Sequence, residues 1–557
     1  MDYERLTKVV HGLGYTGLRS PQVRPVQTLL QKESLICVLP TGCGKTAVFT
    51  IPTLYHNWRT LVISPLLALM ENQSKSLNRM GVKAMEISSR TSQTANKLAC
   101  ELWANDTLRM LYVAPERLST EMFTKLMQDY PPDHVCVDEA HVLSAWGDDF
   151  RPDYTHIGDF IDVYKPSVVS AFTATATKHI LEDVRRVLRL ENAPFIFNYP
   201  RRNNLHYMSI TKDIERPVAQ CAELIRKYIR DGSAIIYCST VETVESLSMM
   251  LEHELRGEYG VVYYHGQMTS QSLKDCNNRD FMEGSAKVMV ATKAFGMGVD
   301  KSDVRLVIEF NTSDSLESLA QQQGRAGRDG KEAHCITLWT PQSSSEYYNL
   351  FYANSRPSLN QIQRIYKLLV DTAASSPKGA VKLTERQIAG ICRINDRIVG
   401  STMGLLDSQG IIRRESNSED VYSIQFHVDP TEEVYEGSYV QKIYDVIDTY
   451  GLEREEEKGI YDISLETLHT SLGRSKGTAQ SWLRTCVANQ QISYQLPYRG
   501  SVTYILRPLD ELNFEHIRKK RMLEDRRLQD VMNYCRLPDD EKQDHLIAYF
   551  REAVEND

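Results

Sequence analysis

Residues 30–340 alternate short apolar runs with longer stretches in which apolar residues recur at helical spacing. A short apolar run between polar segments is typical of a buried strand, and strands alternating with helices predict βαβ units and parallel sheets. The predicted strands are Leu35–Leu39, Leu61–Ser64, Leu111–Val113, Val135–Asp138, Val168–Ala171, Ala234–Cys238, Val261–Tyr264, Val288–Ala291, Leu306–Phe310 and Cys335–Trp339. The polar segment 198–204 divides these runs into two series, so the pattern predicts two α/β domains in tandem.

The pattern changes after residue 341, where the serine-containing segments 343–345 and 375–379 predict loops or linkers. Leu359–Thr372, between them, has helical spacing. Leu383–Phe426 predicts a helix, a turn, a second helix and two short strands, and Ile463–Leu506 predicts a segment of similar shape. The tail, 511–557, is highly charged and is predicted to be helical.

The composition narrows the class of protein. Charged residues are 25% of the chain and hydrophobic residues 42%, which is typical of globular proteins. A formal net charge of −8 excludes a wholly basic coat protein, but a nucleic-acid partner needs only a local positive patch. No apolar run approaches the roughly 18 residues of a membrane helix, and the N-terminus lacks the apolar core of a signal peptide.

The eleven cysteines are scattered and contain no CxxC pair. This spacing predicts reduced thiols in an intracellular protein, cytoplasmic in a prokaryote or nuclear in a eukaryote, and it argues against a zinc finger.

A phosphate-binding loop is predicted directly after the first strand. The residues expected to hold a nucleotide there are Thr41, Gly42, Cys43, Gly44, Lys45 and Thr46. The glycines let the backbone N–H groups face an anion at the start of the next helix. Lys45 is expected to reach the β- and γ-phosphates, and the Thr46 hydroxyl to bind Mg²⁺. Leu39 stands where the longer motif has its first glycine, so the strand before and the helix after carry the identification.

Two acids end the predicted strand at Val135–Asp138. The carboxyl ends of parallel strands share one edge of a sheet, so Asp138 and Glu139 are expected near the phosphate loop. Asp138 could hold Mg²⁺ through water, and Glu139 could orient or deprotonate an attacking water. Alone, such a pair would more often be a solvated turn, but the phosphate loop favours the catalytic interpretation.

A glutamine- and arginine-containing segment, Gln321–Gly330, closes the second α/β series. Arg325 and Arg328 are three residues apart, so they share one helix face or one turn. Arginines presented across a domain cleft can stabilise charge on a γ-phosphate, whereas alone they would equally suit a charged surface. The catalytic candidates are therefore Lys45, Asp138, Glu139, Gln321, Arg325 and Arg328.

Together these residues resemble a superfamily-two helicase, and more closely the RecQ family, over residues 1–340. The matching segments are Gly14–Gln22 (adenine motif), Ser64–Leu69 (motif Ia), Ala114–Leu118 (Ib), Asp138–His141 (II), Phe172–Ala176 (III), Ala291–Asp300 (V) and Gln321–Gly330 (VI). The resemblance implies two RecA-like domains that bind ATP and Mg²⁺ between them. It implies that Tyr15 stacks on adenine, that Arg19 and Gln22 contact the adenine edge, and that Asp300 lies at the nucleotide. Ser64, Thr173, Thr175 and Thr292 are the implied DNA contacts of these motifs.

An aromatic segment, Trp146–Pro152, resembles the loop that couples single-stranded DNA binding to ATP hydrolysis in RecQ enzymes. Trp146 and Phe150 offer stacking faces for unpaired bases, and Arg151 offers a phosphate or cation–π contact. The alternative is a buried aromatic pair under a loop. Asp148 stands where the family usually has histidine, which puts the detailed coupling in doubt but not the ATPase.

The two segments of helix, turn, helix and strands resemble winged helices, and the first resembles the winged helix of RecQ proteins. Arg393, Arg397, Arg413 and Arg414 are its candidate duplex contacts, through phosphates. Winged helices also bind proteins, and the second one has only a weak functional signal, so protein docking is as plausible there as DNA binding.

The family usually places a helical hairpin with four zinc-binding cysteines directly after motif VI. No cysteine occurs between Cys335 and Cys392, and the tail resembles that hairpin moved behind the winged helices. Cys535 and His545 alone cannot make a four-ligand site, so no zinc is predicted. An ordinary pair of charged helices also explains the tail.

These expectations combine into a domain plan and a function. The plan is a first RecA-like domain (1–200), a second one (201–342), a helical linker (343–380), a winged helix (381–428), a second winged-helix-like domain (429–510) and a helical hairpin (511–557). The predicted function is an ATP- and Mg²⁺-dependent 3′–5′ DNA helicase acting on single-stranded, forked or duplex DNA. Protein partners could bind the second winged helix, and no membrane partner is expected. The alternatives are a DNA-dependent translocase with little strand separation, an RNA helicase, and a scaffold with a degenerate ATPase.

Overall fold

The computed structural model describes residues 2–40, 42–65, 67–88, 91–143, 154, 156–174, 178–295, 301–352, 356–376, 379–416, 421–453, 459–495 and 501–555. The chain divides into a first unit, Met1–Tyr347 with Arg518–Asp557, and a second unit, Tyr348–Ile517. Within the described ranges no helix combines the length and apolarity that crossing a bilayer requires. All eleven cysteines are free thiols.

The first unit begins with a seven-stranded parallel sheet in the order β3-β4-β2-β5-β6-β1-β7. Its strands are β1 (Leu35–Val38), β2 (Thr60–Ile63), β3 (Ala84–Ile87), β4 (Met110–Val113), β5 (His134–Val137), β6 (Val168–Thr173) and β7 (Phe195–Phe197). Its helices are α1 (Tyr3–Gly12), α2 (Ser20–Leu30), α3 (Lys45–His56), α4 (Leu67–Arg79), α5 (Gln93–Ala104), α6 (Glu121–Asp129), α7 (Ile157–Tyr164) and α8 (Lys178–Leu188). The five central strands are buried along their whole length, as expected for a parallel sheet covered on both faces.

A second parallel sheet of six strands follows in the order β10-β11-β9-β12-β13-β8. Its strands are β8 (Leu205–Thr211), β9 (Ser233–Tyr237), β10 (Val261–Tyr264), β11 (Val288–Ala291), β12 (Val304–Glu309) and β13 (Ala333–Trp339). The accompanying helices are α9 (Pro217–Tyr228), α10 (Val241–Glu254), α11 (Gln271–Glu283), α12 (Leu316–Gln323) and α13 (Ser343–Tyr347). The prediction of two tandem α/β domains with parallel sheets is confirmed.

The second unit contains helices and antiparallel strands. Its α-helices are α14 (Leu359–Ala374), α15 (Glu385–Cys392), α16 (Asp396–Ser408), α17 (Tyr439–Tyr450), α18 (Leu465–Ser471) and α19 (Lys476–Ala488). Its strands are β14 (Ile412–Ser416), β15 (Val421–Phe426), β16 (Leu452–Glu453), β17 (Ile460–Ser464), β18 (Ile492–Gln495) and β19 (Ser501–Ile505). Helix α15 and helix α16 pack around one apolar cluster, and α17, α18 and α19 pack around another.

The strands of this unit are exchanged between the two predicted winged helices. Strand β14 pairs with β19, whereas β15 pairs with β17 and β18, all antiparallel. Each strand of the first segment therefore pairs with strands of the second, and the winged-helix assignment of both segments stays a prediction. The two segments have the same order of helix, helix and strands. The apolar pattern therefore predicts the strands but does not tell which strand pairs with which.

Two helices end the chain, α20 (Phe514–Arg536) and α21 (Lys542–Glu555). The fully buried Lys542 side chain joins them, because its Nζ donates to the carbonyls of Tyr534 (3.0 Å) and Leu537 (2.7 Å) at the end of α20. A cation at a helix C-terminus is electrostatically favourable. Among the described residues no cluster of three or more histidine, cysteine or acidic side chains could hold a metal ion. The expected absence of zinc stays a prediction.

Candidate nucleotide and nucleic-acid site

The residues predicted to bind phosphate and to activate water lie together at the carboxyl edge of the first sheet. Strands β1 and β5 flank β6, so the loops that follow them are close in space. Lys45 begins α3 after the β1 loop, and its Nζ lies 3.0 Å from Glu139 Oε1 and 4.0 Å from Asp138 Oδ1. Gln73 on α4 adds a contact, with its Nε2 3.3 Å from Asp138 Oδ2. The sheet edge therefore holds one cation against two buried carboxylates.

This arrangement shifts the pKa values of the two acids in opposite directions. Burial raises the pKa of Asp138, and the Lys45 charge only partly opposes that rise. Burial would also raise the pKa of Glu139, but Lys45 and His141 more than offset it and lower the pKa. Burial would lower the pKa of Lys45, yet the two carboxylates raise it. Lys45 and Glu139 are therefore both held in their charged forms, which suits phosphate binding and water activation.

The phosphate loop has the backbone that its glycines predict. Gly42 has φ of 85° and Gly44 has φ of 79°, a left-handed conformation that side chains with a Cβ rarely adopt. Gly44 is also crowded, because a Cβ there would lie 2.5 Å from Gln22 Nε2. Gln22 is 6% exposed, and its Nε2 donates to the carbonyls of Cys43 (3.0 Å) and Gly44 (3.2 Å). The loop thus depends on close packing against α2.

Two of the three residues predicted to read adenine contact this loop. Arg19 Nη1 donates to the Gly42 carbonyl at 3.0 Å, and the Arg19 backbone N–H donates to Gln22 Oε1 at 2.9 Å. Tyr15 precedes them and is 36% exposed. Thr46 lies in the first turn of α3, beside Lys45. The structure brings Arg19 and Gln22 to the phosphate loop, and their contacts with adenine stay a prediction.

The second sheet contributes the segment 324–330, here called the arginine loop, between α12 and β13. A Cβ at Gly42 would lie 3.6 Å from Arg328 Cγ, so the Arg328 side chain lies against the phosphate loop. Arg325 is 6% exposed, interacts with the Tyr237 hydroxyl and contributes to the lowered pKa of Glu139. Gln321, at the end of α12, lines one small cavity together with Pro40 of the phosphate loop. The predicted catalytic residues of both sheets therefore share one site.

The residues predicted to contact DNA differ in their exposure. Ser64 and Thr173 are each 1% exposed, and the Thr173 hydroxyl lies 3.0 Å from His141 Nδ1. The DNA contacts predicted for these two stay a prediction that this structure does not support, because neither side chain reaches solvent. Thr292 follows β11 and is half-buried. The predicted residues Thr41, Trp146, Phe150, Arg151, Thr175 and Asp300 lie outside the described residues.

The four predicted arginines of the second unit lie at the turn between α15 and α16 and on β14. Arg393 ends α15 with φ of 50°, Arg397 lies in the first turn of α16, and both are exposed. Arg413 on β14 is exposed, and its Nε lies 2.9 Å from Glu415 Oε1. Arg414 is half-buried and pairs with Glu385 at 2.9 Å. Three of the four predicted phosphate contacts are thus accessible.

Several residues of the site were not predicted from the sequence. Gln73 contacts Asp138, and Arg202 and Asn204 donate to carbonyls of the arginine loop. Arg305 forms an ion pair with Asp329 at the far end of that loop. The segment 198–204 was noted only as a polar divider. Its density of arginine and asparagine was the one available signal, because both can donate to bare carbonyls.

The two parallel sheets place a phosphate loop opposite an arginine loop, an arrangement that could hold a nucleotide between the sheets. The DEAD/DEAH box helicase family matches residues 19–184, and the helicase conserved C-terminal domain matches residues 217–330. The DEAD-box helicase Mss116, solved with single-stranded RNA and UDP-BeF, superposes with a TM-score of 0.52 at 17% identity, covering 72% of this chain and 88% of that one. The two family models therefore cover both parallel sheets, and the likeness to Mss116 shows a shared fold.

The curated relatives specify the family further. The chain is 33% identical over 359 residues to the ATP-dependent DNA helicase RecQ of Pasteurella multocida, covering 64% of this chain and 56% of the relative. It is 31% identical over 365 residues to the ATP-dependent helicase SGS1 of Saccharomyces cerevisiae, covering 63% of this chain and 25% of the relative. Over these residues the chain is similar to helicases of the RecQ family. The match spans little more than half of the bacterial relative's length.

Proposed function

We propose that this protein is an ATP- and Mg²⁺-dependent DNA helicase that moves 3′ to 5′ along a single strand and separates forked or duplex DNA. The observation that carries the proposal is the shared site, in which Lys45 and Glu139 of the first sheet lie beside Arg325 and Arg328 of the second. A site divided between two domains can couple nucleotide hydrolysis to domain movement, which is what a motor requires.

Each residue has a role that its surroundings support. Lys45 would exchange its carboxylate partners for the β- and γ-phosphates, which frees Glu139 to orient or deprotonate water. Gln321 would help to position that water. Arg325 and Arg328 would stabilise the charge that develops during phosphoryl transfer. Tyr15, Arg19 and Gln22 would hold the adenine.

The donor set fits Mg²⁺. The Thr46 hydroxyl and the Asp138 carboxylate are oxygen ligands, which this ion prefers, and one or two protein ligands are usual when phosphates supply others. Bound there, the ion would neutralise phosphate charge. An excess of negative charge supports placing Mg²⁺ there. The Asp138 and Glu139 carboxylates are both largely buried, and Lys45 is the cation that faces them.

DNA as the partner follows from the relatives, which are described as DNA helicases. Polarity rests on the family resemblance. The residues proposed to bind the single strand are Trp146, Phe150, Arg151, Thr175 and Thr292. Those proposed to bind duplex phosphates are Arg393, Arg397 and Arg413. The exposure of these last three arginines supports that role.

The test is ATP hydrolysis with single-stranded DNA, single-stranded RNA or neither, together with strand release from forks carrying a 3′ or a 5′ tail. DNA-stimulated hydrolysis with release from the 3′-tailed fork alone would support the proposal. Equal hydrolysis by wild type and Glu139→Gln would contradict it. Stimulation by RNA in place of DNA would contradict the proposed substrate.

A second candidate is a DNA-dependent translocase that remodels DNA complexes with little strand separation. The exchanged strands of the second unit favour keeping it, because β14 and β15 do not form the wing hairpin that a strand-separating winged helix would use. Hydrolysis and movement along single-stranded DNA without strand release from any fork would distinguish it.

A further inference from the structure

The arginine loop is held by the segment that joins the two sheets, residues 198–204 between β7 and β8. Arg202 Nη1 donates to the Gly324 carbonyl at 3.2 Å, and Nη2 donates to the carbonyls of Ala326 (2.8 Å) and Gly327 (2.6 Å). These three carbonyls surround Arg325 and precede Arg328. The guanidinium presents several donors in one fixed plane, so a single side chain sets the path of the loop backbone.

Asn204 extends the same contact. Its Nδ2 donates to the carbonyls of Gly327 (2.8 Å) and Lys331 (2.9 Å). Gly327 has φ of 53°, and a Cβ there would lie 2.5 Å from Asn204 Nδ2. The arginine loop and the joining segment are therefore packed so closely at Gly327 that a Cβ would displace Asn204.

Arg202 also faces the phosphate loop. It lines a small cavity with Pro40, Gln321 and Gly324. Burial raises the pKa of Cys43, and the charge of Arg202 opposes that rise, which places the guanidinium close to the loop. Arg202 thus lies where movement of one sheet relative to the other would be transmitted to the catalytic arginines.

The C-terminal helices hold the joining segment in turn. Gln543 Nε2 lies 3.4 Å from the Arg202 carbonyl, Arg201 Nη1 binds both Asp544 oxygens at 2.7 and 2.9 Å, and the Tyr199 ring stacks on Phe550 at 5.1 Å. The contacts of Gln543 and Phe550 fix the backbone beside Arg202 from outside the site, whereas the Arg201–Asp544 pair is exposed and adds little. The Arg202 side chain is left to act on the arginine loop.

We propose that Arg202 is a positioning residue for nucleotide hydrolysis, which it serves by fixing the backbone of the arginine loop and so the placement of Arg325 and Arg328. The inference rests on the proposed ATP hydrolysis. Misplacement of catalytic groups by about 1 Å can cost about 10²-fold in rate. Arg202 would act through the loop carbonyls that it binds.

The test compares Arg202→Ala with Arg201→Ala, a neighbouring variant that loses the same charge but only the surface pair with Asp544. Arg202→Ala is expected to lower kcat at least about tenfold with little change in KM for ATP, while Arg201→Ala stays near wild type. Arg202→Lys, which keeps part of the donor set, should recover part of kcat. Equal kcat for the Arg202→Ala and Arg201→Ala variants would overturn the proposal.

Two measurements separate positioning from general damage. If Arg202 acts through the arginine loop, Arg202→Ala should cost little more in an Arg325→Ala background, whereas a fully multiplicative loss would contradict that route. Hydrogen exchange of residues 324–331 should rise in Arg202→Ala and not in Arg201→Ala. Exchange needs no hydrolysis, so unchanged exchange overturns this inference even if wild type proves inactive, and inactive wild type alone overturns the proposed function.

Discussion

Each of the two parallel sheets buries an acid at its carboxyl edge, but the two acids have opposite electrostatic surroundings. In the first sheet Glu139 lies 3.0 Å from Lys45, and its pKa is lowered. In the second, Glu309 ends β12, is 2% exposed, and accepts a hydrogen bond from the neutral Ser313 hydroxyl. Burial there raises the pKa of Glu309 well above its usual range.

The difference shows why the sheets would do different work. A buried carboxylate stays charged only where a cation compensates for lost hydration, and only a charged carboxylate can act as a base. The surroundings therefore favour a charged carboxylate in the first sheet and a neutral one in the second, which contributes arginines to the shared site. A similar architecture thus supports catalysis on one sheet and assistance from the other.

The largest expected effect comes from exchanging each acid for its amide. Glu139→Gln is expected to lower kcat for ATP by about 10²- to 10⁴-fold, the usual range for a lost general base. Glu309→Gln should leave kcat close to wild type, because glutamine reproduces a neutral acid. Steady-state hydrolysis with saturating single-stranded DNA measures both. Comparable losses in the two variants would mean that the two acids are not electrostatically distinct.

A smaller effect is expected from filling the close approach at one glycine of each sheet. A Cβ would lie 2.5 Å from Gln22 Nε2 at Gly44 and 2.5 Å from Asn204 Nδ2 at Gly327. Gly44→Ala should raise KM for ATP, because the phosphate loop must shift, and Gly327→Ala should lower kcat, because the arginine loop must shift. Each change is expected to be about tenfold, in line with about 1–2 kcal/mol of left-handed strain plus the displaced contact.

Gly81→Ala is the matched control, since Gly81 has φ of 80° and nothing within 4 Å of its Cβ position. It carries the backbone strain without the displaced neighbour, so it should lower the melting temperature while KM and kcat stay near wild type. A shift in KM for Gly327→Ala, or in kcat alone for Gly44→Ala, would reverse the assignment of binding to the first sheet and turnover to the second.

The sequence was sufficient for the parts that depend on local pattern. All ten predicted strands of the two sheets are present, and the phosphate loop, the two acids and the arginine loop meet as expected. The three strands not predicted, β3, β7 and β8, all lie at sheet edges. An edge strand need not be apolar on both faces, so it lacks the continuous run by which a buried parallel strand is recognised.

Contacts between distant segments could not be predicted. Arg202 reaches carbonyls more than 120 positions away, with sequence separations of 122, 124 and 125. Backbone carbonyls carry no residue signature, so no motif reports such a contact. The pairing of β14 with β19 could not be predicted for the same reason, since the pairing of Ile412 with Ile505 is not encoded in either segment alone.

The smallest expected effect is a pair of opposite pH dependences in stability. His134 on β5 is fully buried, and burial lowers its pKa from 6.5 to about 3. Between these values the unfolded state binds a proton that the folded state does not, so stability falls as pH decreases below about 6.5. Glu309 has a raised pKa, so above about 4.5 the folded state keeps a proton that the unfolded state has lost, and stability falls as pH rises toward the folded pKa.

Each site can contribute a slope of at most about 1.4 kcal/mol per pH unit. Both slopes can be measured by thermal unfolding of wild type, His134→Asn and Glu309→Gln between about pH 5 and pH 8.5. The difference in stability between variant and wild type removes the contribution of the other titrating groups. The difference should rise with increasing pH for Glu309→Gln and with decreasing pH for His134→Asn. A Glu309→Gln variant that tracks wild type at every pH would show that Glu309 is charged in the folded state, and the electrostatic distinction between the two sheets would then fail.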